Sequence, residues 1–356
     1  MSYSFGSKVK VTIFGQSHSE AIGVVIDGIP TGISLDQDRI LKFMSRRAPG
    51  KNRMSTPRKE ADFPEIVSGI ADGKTCGAPI CAIIKNTDTK SKDYSNLKDV
   101  PRPGHADFTA FIKYNGENDI RGGGQFSGRM TAPMCFAGAV IMQVLESKGI
   151  YIGGHIASIK GICDDEIDSV SVTKDILESI ANKEFPVLSD ESGEKMKQEI
   201  ENARMMCDSV GGSVECFVLG MPQGIGGPLY EGLEGIISQS VFAVPAVKGI
   251  EFGSGFDCEN MYGSENNDSF CIVDGKVATE TNNHGGILGG ISSGMPIRLK
   301  VALKPTPSVS KPQKSVNLRT MKQETLEITG RHDPCIVHRA LPAIEAAIAI
   351  AIINAM

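Results

Sequence analysis

The sequence lacks several features that define whole classes of protein. It has no tryptophan, and aromatic residues make up only 6% of its 356 positions, which argues against a nucleic-acid surface built on stacked bases. Its nine cysteines are odd in number and irregularly spaced, with no CxxC pair, so neither a disulfide framework nor a metal site is predicted. The N-terminus has no apolar signal region, and Pro342 and Glu345 interrupt the longest hydrophobic stretch. We therefore expect a cytoplasmic protein that contacts neither a membrane nor nucleic acid.

The overall composition is that of an ordinary globular protein. Hydrophobic residues make up 40% and charged residues 22%, with a formal net charge of −5. The length allows two or three domains or one large one. No Gly/Ser-rich or Pro-rich linker divides the chain, so a single domain of residues 1–356 is predicted. Glycine is in excess, with 40 residues against a usual ~7%.

Hydrophobic patterns predict a mixed α+β fold. Strands are predicted at 8–14, 22–27, 65–70, 80–85, 151–160, 212–220 and 296–303. Helices are predicted after a cap at Ser34 or Asp36 and at 131–148, 174–182, 194–207 and 341–355. Their irregular order argues against a parallel doubly wound sheet. Residues 121–129 and 331–339 each precede an Ala-rich helix, a weak repeat that either internal duplication or chance explains.

Four of the six histidines have neighbours suited to chemistry. His18 follows a predicted strand, His105 lies in an RPGHAD turn, His284 opens a glycine-rich run, and His332 lies within the sequence RHDP. A lone loop histidine is more often structural, but nearby cations and glycines allow an anionic ligand to approach. His155 and His338 lack such neighbours, and we predict that both are structural.

Two basic segments and three glycine clusters point to a small anion. Residues 46–59 contain six cations and no acid, and residues 304–314 combine lysines, hydroxyls and prolines without an acid. Solvated basic loops would have the same composition. Glycines cluster at 122–124, 224–227 and 285–294, but none of the clusters matches the dinucleotide fingerprint or the phosphate loop of NTPases.

Seven motifs, taken in order from about residue 6 to the end, resemble the chorismate synthase family. They are GQSH at 15–18, RPGHAD at 102–107, RGGG at 121–124, AVKGIE at 246–251, GGILGGIS at 285–292, KPT at 304–306 and RHDPC at 331–335. The resemblance implies a layered β/α sandwich with helices packed on antiparallel sheets, and a homotetramer. It also implies a 1,4-anti elimination of phosphate from 5-enolpyruvylshikimate 3-phosphate to give chorismate, the last step of the shikimate pathway. Reduced FMN is required without net redox change, and in some relatives NADPH reduces it.

The resemblance also assigns roles to residues. His18 faces the departing phosphate, His105 shares a proton with the reduced flavin, and Asp333 manages the proton at the flavin N5. Ser17 and Ser127 are further catalytic candidates that relay protons or orient these groups. The implied FMN site consists of Gln125, Phe126, Ser127, Pro245, Ala246, Gly289, Lys304, Pro305, Thr306, Pro307, Ser308 and Arg331. The implied phosphate ligands, of substrate or of NADPH, are Arg47 and Arg53, with Arg39 and Arg129 as further substrate contacts.

The sequence departs from the family pattern at two motifs. The first commonly reads GESHG, and here Gln16 and Ser19 replace the acid and the glycine. The frequent RGGGRxSARET becomes RGGGQFSGRMT, so that Gln125 removes a positive charge and Met130 an acid. FMN binding is still expected, with an altered contact at Gln125.

Two other functions share some of these features. An NAD(P)H-dependent flavin oxidoreductase has similar phosphate sites, but it predicts a net redox change and a dinucleotide fingerprint. A flavin- or anion-binding regulator has no use for histidines and an aspartate beside the phosphate sites.

Overall fold

The computed structural model describes residues 3–50, 62–87, 97–328 and 333–356. The helices are α1 (Gln37–Arg47), α2 (Asp107–Lys113), α3 (Thr131–Glu146), α4 (Lys174–Ala181), α5 (Asp190–Met205), α6 (Leu233–Val241), α7 (Gly263–Asn266) and α8 (Val337–Ala355). The strands of the two large sheets are β1 (Ser4–Phe5), β2 (Lys10–Gly15), β3 (Ala21–Asp27), β4 (Glu65–Ser68), β7 (Ile80–Lys85), β8 (Tyr151–Ile159), β9 (Ile162–Cys163), β10 (Gly212–Leu219), β11 (Val247–Phe252) and β16 (Ile297–Leu303). Short hairpins are formed by β5 (Ile70–Ala71) with β6 (Lys74–Thr75), β12 (Phe270–Val273) with β13 (Lys276–Thr279), β14 (Ile287–Leu288) with β15 (Ile291–Ser292), and β17 (Gln313–Asn317) with β18 (Lys322–Leu326).

Two five-stranded antiparallel sheets form the outer layers. The first has the order β1-β2-β3-β7-β4 and the second β11-β16-β10-β8-β9. Burial alternates along β7, where Ile80, Ala82 and Ile84 are buried, and the same alternation runs along β16. Because successive strand residues point to opposite faces, one face of each strand supplies the core.

Helices α3 and α8 fill the space between the sheets. Both are buried along most of their length, and small residues let them approach closely: a Cβ on Gly138 would lie 2.2 Å from the Cβ of Ala346. Glu345 of α8 is fully buried and accepts two hydrogen bonds from Arg46 of α1, at 2.6 and 2.9 Å. By length and composition α3 with its preceding turn, and α8, could cross a bilayer, but 83% and 89% of these apolar windows are buried in the protein.

One core cluster includes residues of both sheets and of α1, α3 and α8. The α+β class and the packing of helices on antiparallel sheets are confirmed. The shared core supports the single domain, which stays a prediction. Internal duplication also stays a prediction; each large sheet packs against a long buried helix, α3 follows residues 121–129, and α8 begins within residues 331–339.

Most predicted elements are present, with differences at their ends. The predicted helix at 341–355 begins earlier, at Val337, so Pro342 lies inside α8. The predicted helix at 194–207 begins at Asp190, because Ser189 caps it by accepting the backbone N–H of Ser192. The strand predicted at 65–70 is divided between β4 and β5. The hydrophobic patterns do not predict α2, α6, β11 or the short hairpins. Helix α2 and the hairpins are brief, whereas α6 and β11 are as long as the predicted α4 and β7.

Candidate active site

Three consecutive glycines build the centre of the site from backbone alone. Gly122, Gly123 and Gly124 all have positive φ, at 59°, 83° and 53°, a conformation that side-chain-bearing residues rarely adopt. A Cβ on Gly122 would lie 2.3 Å from the ring of His18, and one on Gly123 would lie 3.2 Å from Nε2 of His105. The turn therefore passes directly against both histidines.

His18 is held next to this turn by the preceding motif. The backbone N–H of Ser17 donates to Gly124 O at 3.1 Å, and the Ser17 hydroxyl lies 3.3 Å from Nδ1 of His18. Both residues are buried. The RGGG and GQSH motifs, far apart in sequence, form one unit in the fold.

His105 belongs to a second, denser network. Its Nδ1 lies 2.6 Å from Oδ1 of Asp107, and Arg102 donates to both oxygens of that carboxylate, at 2.7 and 2.8 Å. Burial would raise the pKa of Asp107, but Arg102 and His105 outweigh it and hold the pKa far below its ordinary value. Burial lowers the pKa of His105 despite the carboxylate. The pair at neutral pH is therefore a carboxylate and a neutral imidazole.

Two buried arginines share one carboxylate on the other side of the site. Arg47, at the end of α1, and Arg129 each donate to a different oxygen of Asp62. Burial would raise the pKa of Asp62, but the two guanidinium groups lower it below its ordinary value. Arg47 also donates to the Thr131 hydroxyl at 3.1 Å. The shared carboxylate of Asp62 holds the guanidinium groups of Arg47 and Arg129 in place.

A third arginine holds Asp333. Nη1 of Arg339 donates to Oδ2 of Asp333 at 2.6 Å, and its Nε donates to the carbonyl oxygen of Arg47 at 3.0 Å. Arg339 thus connects Asp333 to the end of α1.

A cleft of about 530 Å³ brings these groups together. The predicted site residues that line it are His105, Asp333, Gln125, Phe126, Ser127, Pro245, Ala246, Lys304, Thr306, Pro307, Ser308, Arg47 and Arg129. The hydroxyl oxygen of Thr306 is buried without a hydrogen-bond partner among the described residues, so it is available to a ligand. Burial lowers the pKa of Lys304, whose ammonium donates to Gly104 O.

Other predicted residues lie elsewhere. His18 and Ser17 adjoin Gly122, a lining residue, rather than lining the cleft themselves. Pro305 is absent from the lining, and Gly289 lies in the turn between β14 and β15. Arg39 pairs with Glu146 at 2.6 Å and is half exposed. The predicted ligands Arg53 and Arg331, and also His332, lie outside the described residues.

The remaining histidines have structural surroundings. His155 lies between Asp164 and Glu215, at 2.9 and 3.2 Å, inside the second sheet. His284 accepts the backbone N–H of Gly286 at 2.8 Å. His338 borders a second cavity of about 310 Å³, which also touches Arg339 but contains neither His18 nor His105.

Four residues of the site are not among those predicted from the sequence. They are Arg102, Asp107, Asp62 and Arg339. The spacing of Arg, His and Asp in RPGHAD was a usable signal for the first two. Asp62 follows a basic segment whose cations dominate its pattern, and Arg339 lies in the first turn of α8, which the sequence predicts to begin only at residue 341.

The arrangement can bind anions and transfer protons. Arginine and lysine side chains offer charge-assisted donors to phosphate and carboxylate groups. A neutral histidine accepts a proton near neutral pH, and a carboxylate such as Asp333 can do the same.

Comparisons with known proteins agree with these observations. A family model described as chorismate synthase matches residues 9–356. A chorismate synthase of Lancefieldella parvula is 45% identical over 367 residues, covering 100% of this chain and 96% of that protein. One from Pyrococcus abyssi is 47% identical over 345 residues, covering 97% and 94%. A crystal structure of chorismate synthase matches with a TM-score of 0.74 and 27% identity over 99% of this chain and 92% of that one. The chain therefore belongs to the chorismate synthase family.

Proposed function

We propose that this chain catalyses the family's reaction, the 1,4-anti elimination of phosphate from 5-enolpyruvylshikimate 3-phosphate to give chorismate. One observation carries the proposal: a single cleft joins His105 and Asp333 with five cationic side chains. These cations are Arg47, Arg102, Arg129, Lys304 and Arg339. A substrate with two carboxylates and a phosphate requires this combination of fixed positive charge and proton-transferring groups.

The cleft also fits a phosphorylated cofactor, which we propose is reduced FMN. Thr306 offers a buried hydroxyl without a partner among the described residues, Lys304 supplies a cation, and Phe126 supplies an aromatic face that is partly exposed. Reduced FMN, when bound, supplies electron density to the substrate as phosphate leaves, with no net redox change. At Gln125 the side chain offers an amide to this site.

The chain's own residues bind, orient and move protons. Arg47 and Arg129 line the cleft and are held there by Asp62, so their positive charges are fixed where they can attract the anionic groups of the substrate. We assign to His18 the proton given to the departing phosphate, and to His105 the proton shared with the cofactor. We assign to Asp333, which Arg339 orients, a part in transferring the proton at N5 of the flavin. The Ser127 hydroxyl accepts the backbone N–H of Arg129 at 3.3 Å and orients that arginine.

We also propose a cytoplasmic homotetramer. The support for assembly is apolar surface left exposed on the single chain. On the hairpin β12–β13, Phe270 and Ile272 are 70% and 71% exposed, and nearby in sequence Tyr262 is 79% exposed. Large exposed apolar surfaces commonly mark protein interfaces. Light scattering of the purified protein should give four times the 37.9 kDa of one chain; a monomer would contradict this part.

The reaction is tested anaerobically with chemically reduced FMN. Purified protein should release phosphate from 5-enolpyruvylshikimate 3-phosphate and form chorismate in equal amounts, while the flavin stays reduced. Turnover coupled to oxidation of the flavin would favour the oxidoreductase instead, and no turnover by folded protein would refute the proposal.

Histidine variants test the proton-transfer roles. His18→Ala and His105→Ala should each lower kcat by at least ~10²-fold. His284→Ala is the matched control, because it removes a largely buried histidine that does not line the cleft, and its kcat should stay within about threefold.

An assay with NADPH as the sole reductant, in air, shows whether the chain reduces its own flavin.

A further inference from the structure

We infer that Asp107 is a positioning residue that fixes the tautomer of His105, keeping the proton on Nδ1 and leaving Nε2 as a base towards the cleft. The inference rests on the proposed function only for the identity of the bound molecule that Nε2 contacts. The tautomer itself follows from contacts between His105 and its neighbours.

The first contact lies at Nδ1. Oδ1 of Asp107 is 2.6 Å away, and an ionised carboxylate can only accept a hydrogen bond. The carboxylate is itself fixed, since Arg102 donates to both oxygens and the backbone N–H of Arg102 donates to Oδ2 at 3.0 Å. Nδ1 must therefore be the donor, and a neutral imidazole then has no proton on Nε2.

A second contact, with Arg102, is compatible with this tautomer but does not select it. Nη2 of Arg102 lies 3.1 Å from Nδ1 and 3.4 Å from Nε2, and a guanidinium group can only donate. Because Nδ1 donates to Asp107 at the shorter distance of 2.6 Å, Nε2 is the ring nitrogen left to accept from Nη2. The carboxylate therefore determines the tautomer, and Arg102 orients that carboxylate.

The charges around the ring keep it neutral. The charged groups that face His105 are Asp107, Arg102 and Lys304. Burial lowers the pKa of His105, and the two cations lower it further, so that Asp107 only partly offsets them. His105 lines the cleft, and Gly123 has no side chain beside Nε2. A molecule bound in the cleft can therefore contact this nitrogen. A ligand can give a proton to Nε2, and Asp107 stabilises the imidazolium until the proton returns.

The tautomer is measured directly by ¹⁵N NMR of the full-length protein labelled only at histidine, at pH 8, with the His105 signals assigned from His105→Gln. We expect Nδ1 to be protonated and Nε2 not. In Asp107→Asn the amide can donate to Nδ1, which should move the proton to Nε2 and lower kcat by at least ~10²-fold, with KM changed little. Asp107→Glu should restore part of kcat.

The matched control is Asp164→Asn, which removes a carboxylate from the buried His155 and should leave kcat and the His105 signals unchanged. A wild-type His105 protonated at Nε2 would overturn the inference, even if Asp107→Asn failed to fold. So would an Asp107→Asn variant with the wild-type tautomer. If the wild-type enzyme showed no elimination, the NMR result would still decide the tautomer, so failure of the proposed function remains distinguishable.

Discussion

Replacing Gly122 by alanine should disable the site by moving one ring. The Cβ would lie 2.3 Å from Cε1 and Nδ1 of His18, where ordinary contacts are 3.4–4 Å. His18 must therefore move by about 1 Å, and misplacement of this size can cost about 10²-fold in rate. The backbone also contributes, because φ at Gly122 is 59° and a left-handed L-residue costs roughly 1–2 kcal/mol.

A matched glycine separates these two effects. Gly149 has a φ of +80°, and a Cβ there would meet nothing within 4 Å. Gly149→Ala should therefore lose roughly the same 1–2 kcal/mol of unfolding free energy but keep its activity. Gly123→Ala lies between them, because its Cβ would be 3.2 Å from Nε2 of His105, a contact that a shift of a few tenths of an ångström relieves.

Denaturant unfolding and steady-state kinetics measure both quantities on each variant. The expected order of kcat/KM is Gly149→Ala close to wild type, Gly123→Ala reduced, and Gly122→Ala reduced by about 10²-fold. If Gly122→Ala matched Gly149→Ala in both stability and kcat/KM, the glycine turn would have no role in placing His18, and the reasoning would be refuted.

Three further predictions concern stability and charge. Burial lowers the pKa of His338 to about 4, so the folded chain binds fewer protons than the unfolded chain between about pH 6.5 and 4 and should lose about 3 kcal/mol of stability as pH falls through that range; His338→Gln should reduce this slope in acid-unfolding curves. Asp62→Asn leaves two buried arginines without their shared carboxylate and should cost about 3–5 kcal/mol in denaturant unfolding, while weakening phosphate binding in calorimetric titration. Arg39→Ala breaks a half-exposed ion pair with Glu146 and should cost under ~1 kcal/mol with turnover unchanged, whereas a large rise in KM would restore Arg39 to the substrate site.

Long elements could be predicted from the sequence because their patterns repeat many times. The strand predicted at 80–85 coincides with β7, and α3 begins at the predicted Thr131. Helix α2 has only seven residues, starts within the RPGHAD motif and has no side-chain cap. A hydrophobic pattern over seven residues is too short to distinguish a helix from a turn, so local sequence alone does not specify this helix.

The site was only partly predictable, because its geometry depends on tertiary contacts. The Arg, His and Asp of RPGHAD lie within five residues and interact locally. By contrast, Gly122 and His18 are in contact although they lie about a hundred residues apart in the sequence. Neither segment carries a sequence signal that indicates this contact. Asp62 has a positive φ of 52° and lies after the basic segment of residues 46–59, and its two arginines come from different elements.

The positive charge that the sequence places in one segment is distributed differently in the folded chain. Arg46 pairs with Glu345 and lines a cavity other than the cleft, so counting cations along residues 46–59 overstates the charge of the site. Among the described residues the cleft has five cations, and three carboxylates hold four of them, which leaves an excess of two positive charges. A carboxylate beside each guanidinium lowers the net charge but fixes the position and orientation of the cation. For this reason Asp62→Asn is expected to weaken phosphate binding although it makes the cleft more positive; tighter binding would mean that net charge, and not orientation, determines affinity here.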